Sequence, residues 1–155
     1  MPKNIEFSFR LVGIDTQQFA LLQDNFSNGG EIGLDLGVPI HADDEHHRIS
    51  VVIEGRFICN DKPFMIFKVM CEFEIHPEAF QTLISKKSKK EFLKIPVGLC
   101  RHLATIAVGT TRGVLHERLA KTPFNNFILP TVDLTKILTD DLVLVKGARK
   151  MKEMN

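Results

Sequence analysis

The first half of the chain alternates. Ile5, Phe7, Phe9 and Leu11 are separated by Glu6, Ser8 and Arg10. An apolar period of two with one polar face predicts a half-buried strand. Asn28-Gly29-Gly30 is a turn signal. Beyond it Ile32, Leu34, Leu36, Val38 and Ile40 alternate with Glu31, Gly33, Asp35 and Gly37, which predicts a second strand ending near Pro39. The polar residues 41–47 predict a loop. A third strand is expected over Ile49–Cys59, with Ile49, Val51, Ile53 and Phe57 opposite Ser50, Glu54 and Arg56. Asn60-Asp61-Lys62-Pro63 makes a tight connection. A fourth strand follows, its apolar face being Met65, Phe67, Val69, Cys71, Phe73 and Ile75, opposite Lys68, Glu72 and Glu74. Four consecutive strands with short links imply an antiparallel sheet with one face on the core.

The second half reads as helices. His76-Pro77-Glu78 opens a short helix, because proline fits the first turn. The helix runs into Lys86, Lys87, Lys89 and Lys90, which predict a solvated basic loop. Pro96 opens the longest helical stretch, to about Lys121 and roughly 39 Å long, and Pro123 stops it. Phe124, Phe127 and Leu129 stand among prolines and asparagines in a crossover, and Asp133 to Leu138 predicts a short last helix or turn. The expected organisation is one α+β domain over residues 1–145 and a loose basic tail over 146–155.

Composition narrows the function. The chain has 155 residues, 44% hydrophobic and 25% charged, enough for one well-cored domain. A formal net charge of +1 gives no electrostatic reason to expect nucleic acid or an anionic membrane as partner. No apolar run approaches the roughly 20 residues that span a bilayer, and residues 1–10 lack the apolar stretch of a signal peptide. Cys59, Cys71 and Cys100 are widely spaced and odd in number, which fits a reducing, cytoplasmic setting better than a disulfide framework. Twelve phenylalanines with no Trp or Tyr supply apolar contact area without a phenol or indole for polar chemistry.

Chemistry-bearing patterns are weak. His41, Asp43, Asp44, Glu45, His46 and His47 share one segment, but with neither a HExxH pattern nor a cysteine pair they read as a hydrophilic loop. Cys100 and His102 are two apart on a helix and point to different sides. Cys71 belongs to the apolar face of its strand. Gly109-Thr110-Thr111-Arg112-Gly113 lacks the phosphate-binding lysine and falls mid-helix. Gly109 and Gly113 each cost the helix about 1 kcal/mol against alanine. Spaced by four, they share a face suited either to another helix in an oligomer or to packing across the chain's own sheet. Phe124 to Leu129 either threads the core or rims an apolar groove for extended polypeptides. No catalytic residue and no cofactor is expected.

The order of elements, and the stretch Arg112–Leu138 (RGVLHERLAKTPFNNFILPTVDLTKIL), resemble the SecB family of export chaperones. Thr122, Pro123 and Phe124 match its crossover in kind, with Phe and Pro in swapped order. Leu129, Pro130, Val132, Asp133 and Leu134 match its Leu–x–Pro–Val–Asn/Asp–apolar signature with one residue inserted. The resemblance implies an ATP-independent bacterial holdase that assembles as a dimer of dimers, with the long helices between the dimers. It binds unfolded polypeptides in apolar grooves, and its partners include the motor SecA or, in solitary members, an antitoxin. On this chain it implies a client groove of Phe9, Leu34, Leu36, Phe124, Phe127 and Leu129. Gly109 and Gly113 fall at the oligomer interface, and Glu6, Asp35, Glu54, Glu72 and Glu74 form a partner-docking face.

Two departures bear on SecA. The acids alternate with Arg10, Arg56 and Lys68, and the tail carries Lys146, Arg149, Lys150 and Lys152. A hot-dog-type acyl-thioester enzyme and a passive oligomeric adaptor are the alternatives. The first places its helix earlier and needs an acid on it, whereas Leu103 to Val114 carries none.

Overall fold

A computed structural model describes residues 8–87 and 90–145. Antiparallel ladders and three helices make an α+β architecture. In chain order the elements are β1 (Phe9–Leu21), a 3-10 turn (Gln23–Asn25), β2 (Ile32–Gly37), β3 (Ile40–Asp43), β4 (Arg48–Cys59), β5 (Lys62–Ile75), α1 (Pro77–Leu83), β6 (Ile84–Lys87), β7 (Lys90–Ile95), α2 (Val97–Leu119), α3 (Leu134–Ile137) and β8 (Leu142–Val145).

The main sheet is five-stranded, in the order β1-β5-β4-β2, with β3 also pairing β4. The expected four strands are therefore corrected in three places. Among the described residues the first strand spans Phe9–Leu21, running ten residues past Leu11, and Ile5, Glu6 and Phe7 lie outside the described residues. It bends at two irregularities, Leu11/Gly13 and Thr16/Gln18, and these break the simple alternation that would have marked its length. The second strand is divided in two. Pro39 cannot donate to a ladder, and its carbonyl instead accepts the Val52 N–H at 2.9 Å between the β2 and β3 pairings. The loop expected over 41–47 thus begins as strand and closes in a turn with His47 at φ 54°.

A second, three-stranded sheet, β6-β7-β8, was not legible in the sequence. The lysine-rich stretch is the end of a β6/β7 hairpin with Lys87 opposite Lys90, so its strand character comes from Ile84 pairing with Leu93, not from the lysines. The short β8 joins β7 from the C-terminal end, Ile95 opposite Leu142. It also brings in Asp141, whose Oδ1 accepts the Val97 N–H at 2.8 Å. That carboxylate serves the free N-terminus of α2, where Pro96 offers no side-chain cap. The tail from Lys146, with Arg149, Lys150 and Lys152, lies outside the described residues.

The core lies between the inner face of β4–β5 and α2. Ile49, Val51, Ile53, Phe57, Met65, Phe67, Val69, Cys71, Phe73 and Ile75 are all buried, at two-residue spacing. From α2 come Leu99, Leu103, Ala107, Leu115 and Leu119. Among the described residues the one buried polar side chain, Thr111, is satisfied within its own helix, its hydroxyl donating to the Ala107 carbonyl at 2.8 Å. Gly55 interrupts the inner row because a Cβ there would stand 2.6 Å from Cζ of Phe67 and 2.8 Å from the Asp35 carbonyl. The Phe67 ring occupies the space that a side chain would need.

At one end five phenylalanines meet. Phe64 packs against Phe26 (ring centroids 5.1 Å apart), Phe127 (5.2 Å), Phe124 (5.5 Å) and Phe57 (6.2 Å). Phe64 is fully buried and joins the 3-10 turn, the central strands and the segment after α2. Phe64→Ala should cost about 3–5 kcal/mol in urea denaturation, the range for a buried aromatic truncated into a cavity.

Candidate functional site

The structure divides the six expected groove residues. Phe124 and Leu129 are 4% and 1% exposed, so both belong to the chain's own core and neither rims an open groove. For Phe124 the physical reason is the Phe64 cluster, which it enters edge-on against Phe26. Phe127, Leu34 and Leu36 are half-buried beside it: Phe127 stacks on Phe57, and Phe57 is the ladder partner of Leu34. Phe9 is at the far end of the sheet. It sits opposite Ile75 and packs on Phe73 and His102, about 40 Å along β1 from Leu21 at the usual strand rise. It shares no surface with Phe127.

Among the described residues the main sheet ends on β1 at one side and on β2 and β3 at the other. β2 is a terminal strand with Ile32 43% exposed, and Ile128, next in sequence to Phe127, is 63% exposed. β1 is the other terminal strand and exposes Leu11 (39%), Val12 (38%) and Ile14 (54%). Long apolar edges of this kind are templates for pairing with another chain.

The long helix packs on β4 and β5 and reaches β1 through two side chains. His102 meets Phe9 near its start, and the Arg118 guanidinium sits 5.7 Å over the Phe19 ring near its end. Between them Gly109 and Gly113 are exposed, and a Cβ added at either would meet nothing within 4 Å. Packing of these glycines across the chain's own sheet is therefore excluded. Their face points away from the core and, with exposed Thr105, is uncharged. It adjoins the apolar edge, because Ile14 is the ladder partner of Cys71, whose thiol meets Thr110.

The proposed acidic face is corrected by its neighbours. On the outer side of the sheet Asp35 pairs with Arg56, Glu54 with Lys68, Glu72 with Arg48, and Glu74 with both Arg10 and Arg48. Cross-strand register puts each acid beside a base, so the face is charge-balanced. Such surface pairs are worth about 0–1 kcal/mol each. Glu6 lies outside the described residues.

The histidine-rich turn is held by hydrogen bonds. Asp43 accepts the backbone N–H of Glu45 and of His46 and contacts the His46 ring at 2.7 Å. Partial burial would raise the Asp43 carboxyl, but the hydrogen bonds from His46 outweigh it and hold it below its ordinary value. Among the described residues no group of His, Cys, Asp and Glu is placed to hold a metal ion.

One cleft brings a thiol near a histidine and acids. Val38, Pro39, His41, Cys100, Asp140 and Asp141 line it. Its chemistry is wrong for a nucleophile. Cys100 is 2% exposed, its Sγ donates to the Ile95 carbonyl at 3.7 Å, and burial pushes the thiol up to about 11. Burial raises Cys71 as well, and Cys59 is fully buried. A reactive thiol requires the opposite shift.

Sequence reasoning missed the arginines that hold the crossover. Arg112 donates from Nε to the Leu129 carbonyl (2.7 Å) and from Nη2 to the Pro130 carbonyl (2.9 Å), and Arg101 donates to the Leu138 carbonyl (2.9 Å). The Leu-Pro-x-Val-Asp-Leu signature has a structural use at each of these points. Leu129 and Leu134 are buried, and Asp133 caps α3 by accepting the Thr135 N–H. Phe26 and Phe64 were also missed. The surplus of phenylalanine over all other aromatics was the signal for them, but not for Arg112.

No family model matches this chain, and no curated protein matches it. Among solved structures it is similar to a SecB-like chaperone of Mycobacterium tuberculosis in complex with a ChAD peptide from an antitoxin. The identity is 14%, 83% of this chain and 89% of that one are covered, and the TM-score is 0.45.

A thiol reagent at pH 8 should leave all three cysteines of the native protein unmodified over minutes and react with them in denaturant. Rapid native labelling of Cys100 would restore the cleft as a candidate catalytic centre.

Proposed function

We propose that this protein is an ATP-independent holdase that binds unfolded polypeptides and assembles as a dimer of dimers. The observation that carries the reading is the open β2 edge, with Ile32, Leu34 and Leu36 on one face and Phe127 against it. Unpaired backbone groups in a row beside apolar side chains suit extended chains of many sequences, because the strand supplies affinity without demanding particular residues. No helix among the described residues is long and apolar enough to cross a membrane. The ionisable groups with shifted affinities, Asp43, Cys71, Cys100 and Asp133, are a turn closure, two buried thiols and a helix cap, a dispersed set that does not favour an enzyme.

Assembly, in this reading, uses the β1 edge and the glycine face of α2. Leu11, Val12 and Ile14 would be covered by a second copy pairing along β1, and Gly109 and Gly113 would let a neighbouring helix approach closely. The charge-balanced outer face gives SecA no acidic patch to dock on, so an export partner draws no support from electrostatics. A disordered, apolar segment of an antitoxin is a client of the kind that the β2 edge accommodates. The cytoplasm is the compartment that fits three reduced, buried thiols.

Light scattering of the protein alone should give a tetramer, and an added unfolded polypeptide should co-migrate with it without ATP. Ile32→Asp with Phe127→Asp should abolish suppression of client aggregation while the assembly mass stays the same. Gly109→Leu with Gly113→Leu should do the reverse, lowering the mass to that of a dimer. A monomer indifferent to unfolded chains would remove the holdase and leave the adaptor reading.

A further inference from the structure

The formal net charge of +1 averages two unlike parts of the chain. Residues 84–95 hold five lysines and one acid, and residues 142–155 hold four basic residues and one acid. Together these stretches carry +7, which leaves −6 for the remainder. They lie far apart in sequence, yet the small sheet pairs them, Ile95 opposite Leu142 and Phe92 opposite Val145. β8 thus runs along β7 toward the hairpin end, where Lys87 stands opposite Lys90. From Val145 the sequence continues with Lys146, Arg149, Lys150 and Lys152. Such segregation of sign points to a polyanionic partner even where the total is near zero.

The two faces of this sheet differ. Leu93, Ile95 and Leu144 are buried. Alternation turns Ser85, Lys90, Phe92, Lys94, Val143 and Val145 to the other side. There Val143 is 54% and Val145 40% exposed, Lys90 and Lys94 are exposed, and Phe92 is half-buried. Among the described residues the three strands place no acid on this face. One carboxylate meets its corner: Asp141, which caps α2, also contacts Lys94 Nζ at 3.6 Å. Neither the β2 edge nor the faces assigned to assembly draw on this sheet.

The side-chain chemistry selects among polyanions. Nucleic acid is read by stacking on aromatic rings or guanidinium planes. The described part of this face has no arginine, and its one aromatic ring is half-buried. A phosphate backbone also offers nothing apolar to two exposed valines. A bilayer interface offers both at once, anionic headgroups for lysines and hydrocarbon just beneath for aliphatic side chains, and it demands no register. We propose that the outer face of the β6-β7-β8 sheet docks peripherally on an anionic lipid surface, with Lys90 and Lys94 at the headgroups and Val143 and Val145 at the acyl boundary. This docking is independent of the holdase reading.

Vesicle flotation of the full chain tests it. The protein should float with vesicles of phosphatidylcholine containing about one third phosphatidylglycerol and stay down with phosphatidylcholine alone. About 1 M salt should release most of it, because the screening length is then about 3 Å. Lys90→Gln with Lys94→Gln should lower the partition coefficient between about fivefold and about thirtyfold, the larger figure if Lys94 acts free of Asp141. Lys62→Gln with Lys121→Gln removes the same charge elsewhere and should have little effect. Val143→Ser with Val145→Ser should weaken flotation and leave its salt dependence in place. Circular dichroism of every variant should match the parent. Equal losses from the two lysine pairs would make the binding a net-charge effect and overturn the patch. No flotation, or tighter capture of single-stranded RNA or polyglutamate than of the anionic vesicles, overturns the lipid surface as partner. Suppression of client aggregation is scored separately, so its failure leaves the docking standing and failed flotation leaves the holdase.

Discussion

The contact of Phe64 with four other phenylalanines is the constraint on which the rest depends. Phe64 stands at the start of β5, where the ladder to β4 shifts register between Phe57 and Ile58. Around it close the 3-10 turn through Phe26, the central sheet through Phe57, and the crossover through Phe124 and Phe127. Aromatic rings that meet edge-on or tilted at 5–6 Å gain quadrupole attraction beyond their buried area. With no Tyr or Trp in the chain, nothing in the cluster has a polar group to satisfy. One cluster thereby decides where α2 must end and which side of β2 the crossover lies on.

Polar groups are handled by a different rule. Where ladders run out, single side chains take over the backbone: Asp141 at the start of α2, His76 at the start of α1, Asp133 at the start of α3, and Arg101 and Arg112 along the return segment. The outer sheet face is likewise settled pair by pair across strands. The result is a surface with balanced charge and apolar edges, and in the proposed holdase attraction to a client would come from unpaired backbone and hydrocarbon, not from net charge.

Much of this was legible in the chain. The alternation at Ile49–Cys59 and Met65–Ile75 marked β4, β5 and their buried faces, because both strands are central and each has one wet side. Pro96 and Pro123 bounded α2 to within a few residues, since proline is tolerated at a helix start and not in its interior.

Other features depend on contacts between residues far apart in sequence, which no local pattern encodes. Whether Phe124 lies in the core or on a rim turned on Phe26 and Phe64, from two other elements. Whether Gly109 and Gly113 face the sheet or solvent turned on the rotation of α2, which the burial of Leu103, Ala107, Thr111 and Leu115 against β4 and β5 sets. The acids looked like a patch until cross-strand register put a base beside each. The lysine-rich stretch became part of a hairpin because Leu93, next to it, pairs with Ile84 on one side and Leu144 on the other. The sequence by itself determined which residues are apolar and where strands and helices can start and stop. Tertiary structure alone decided which apolar residues cover one another and which remain for a partner, because burial is a property of pairs brought together by the fold and not of positions along the chain.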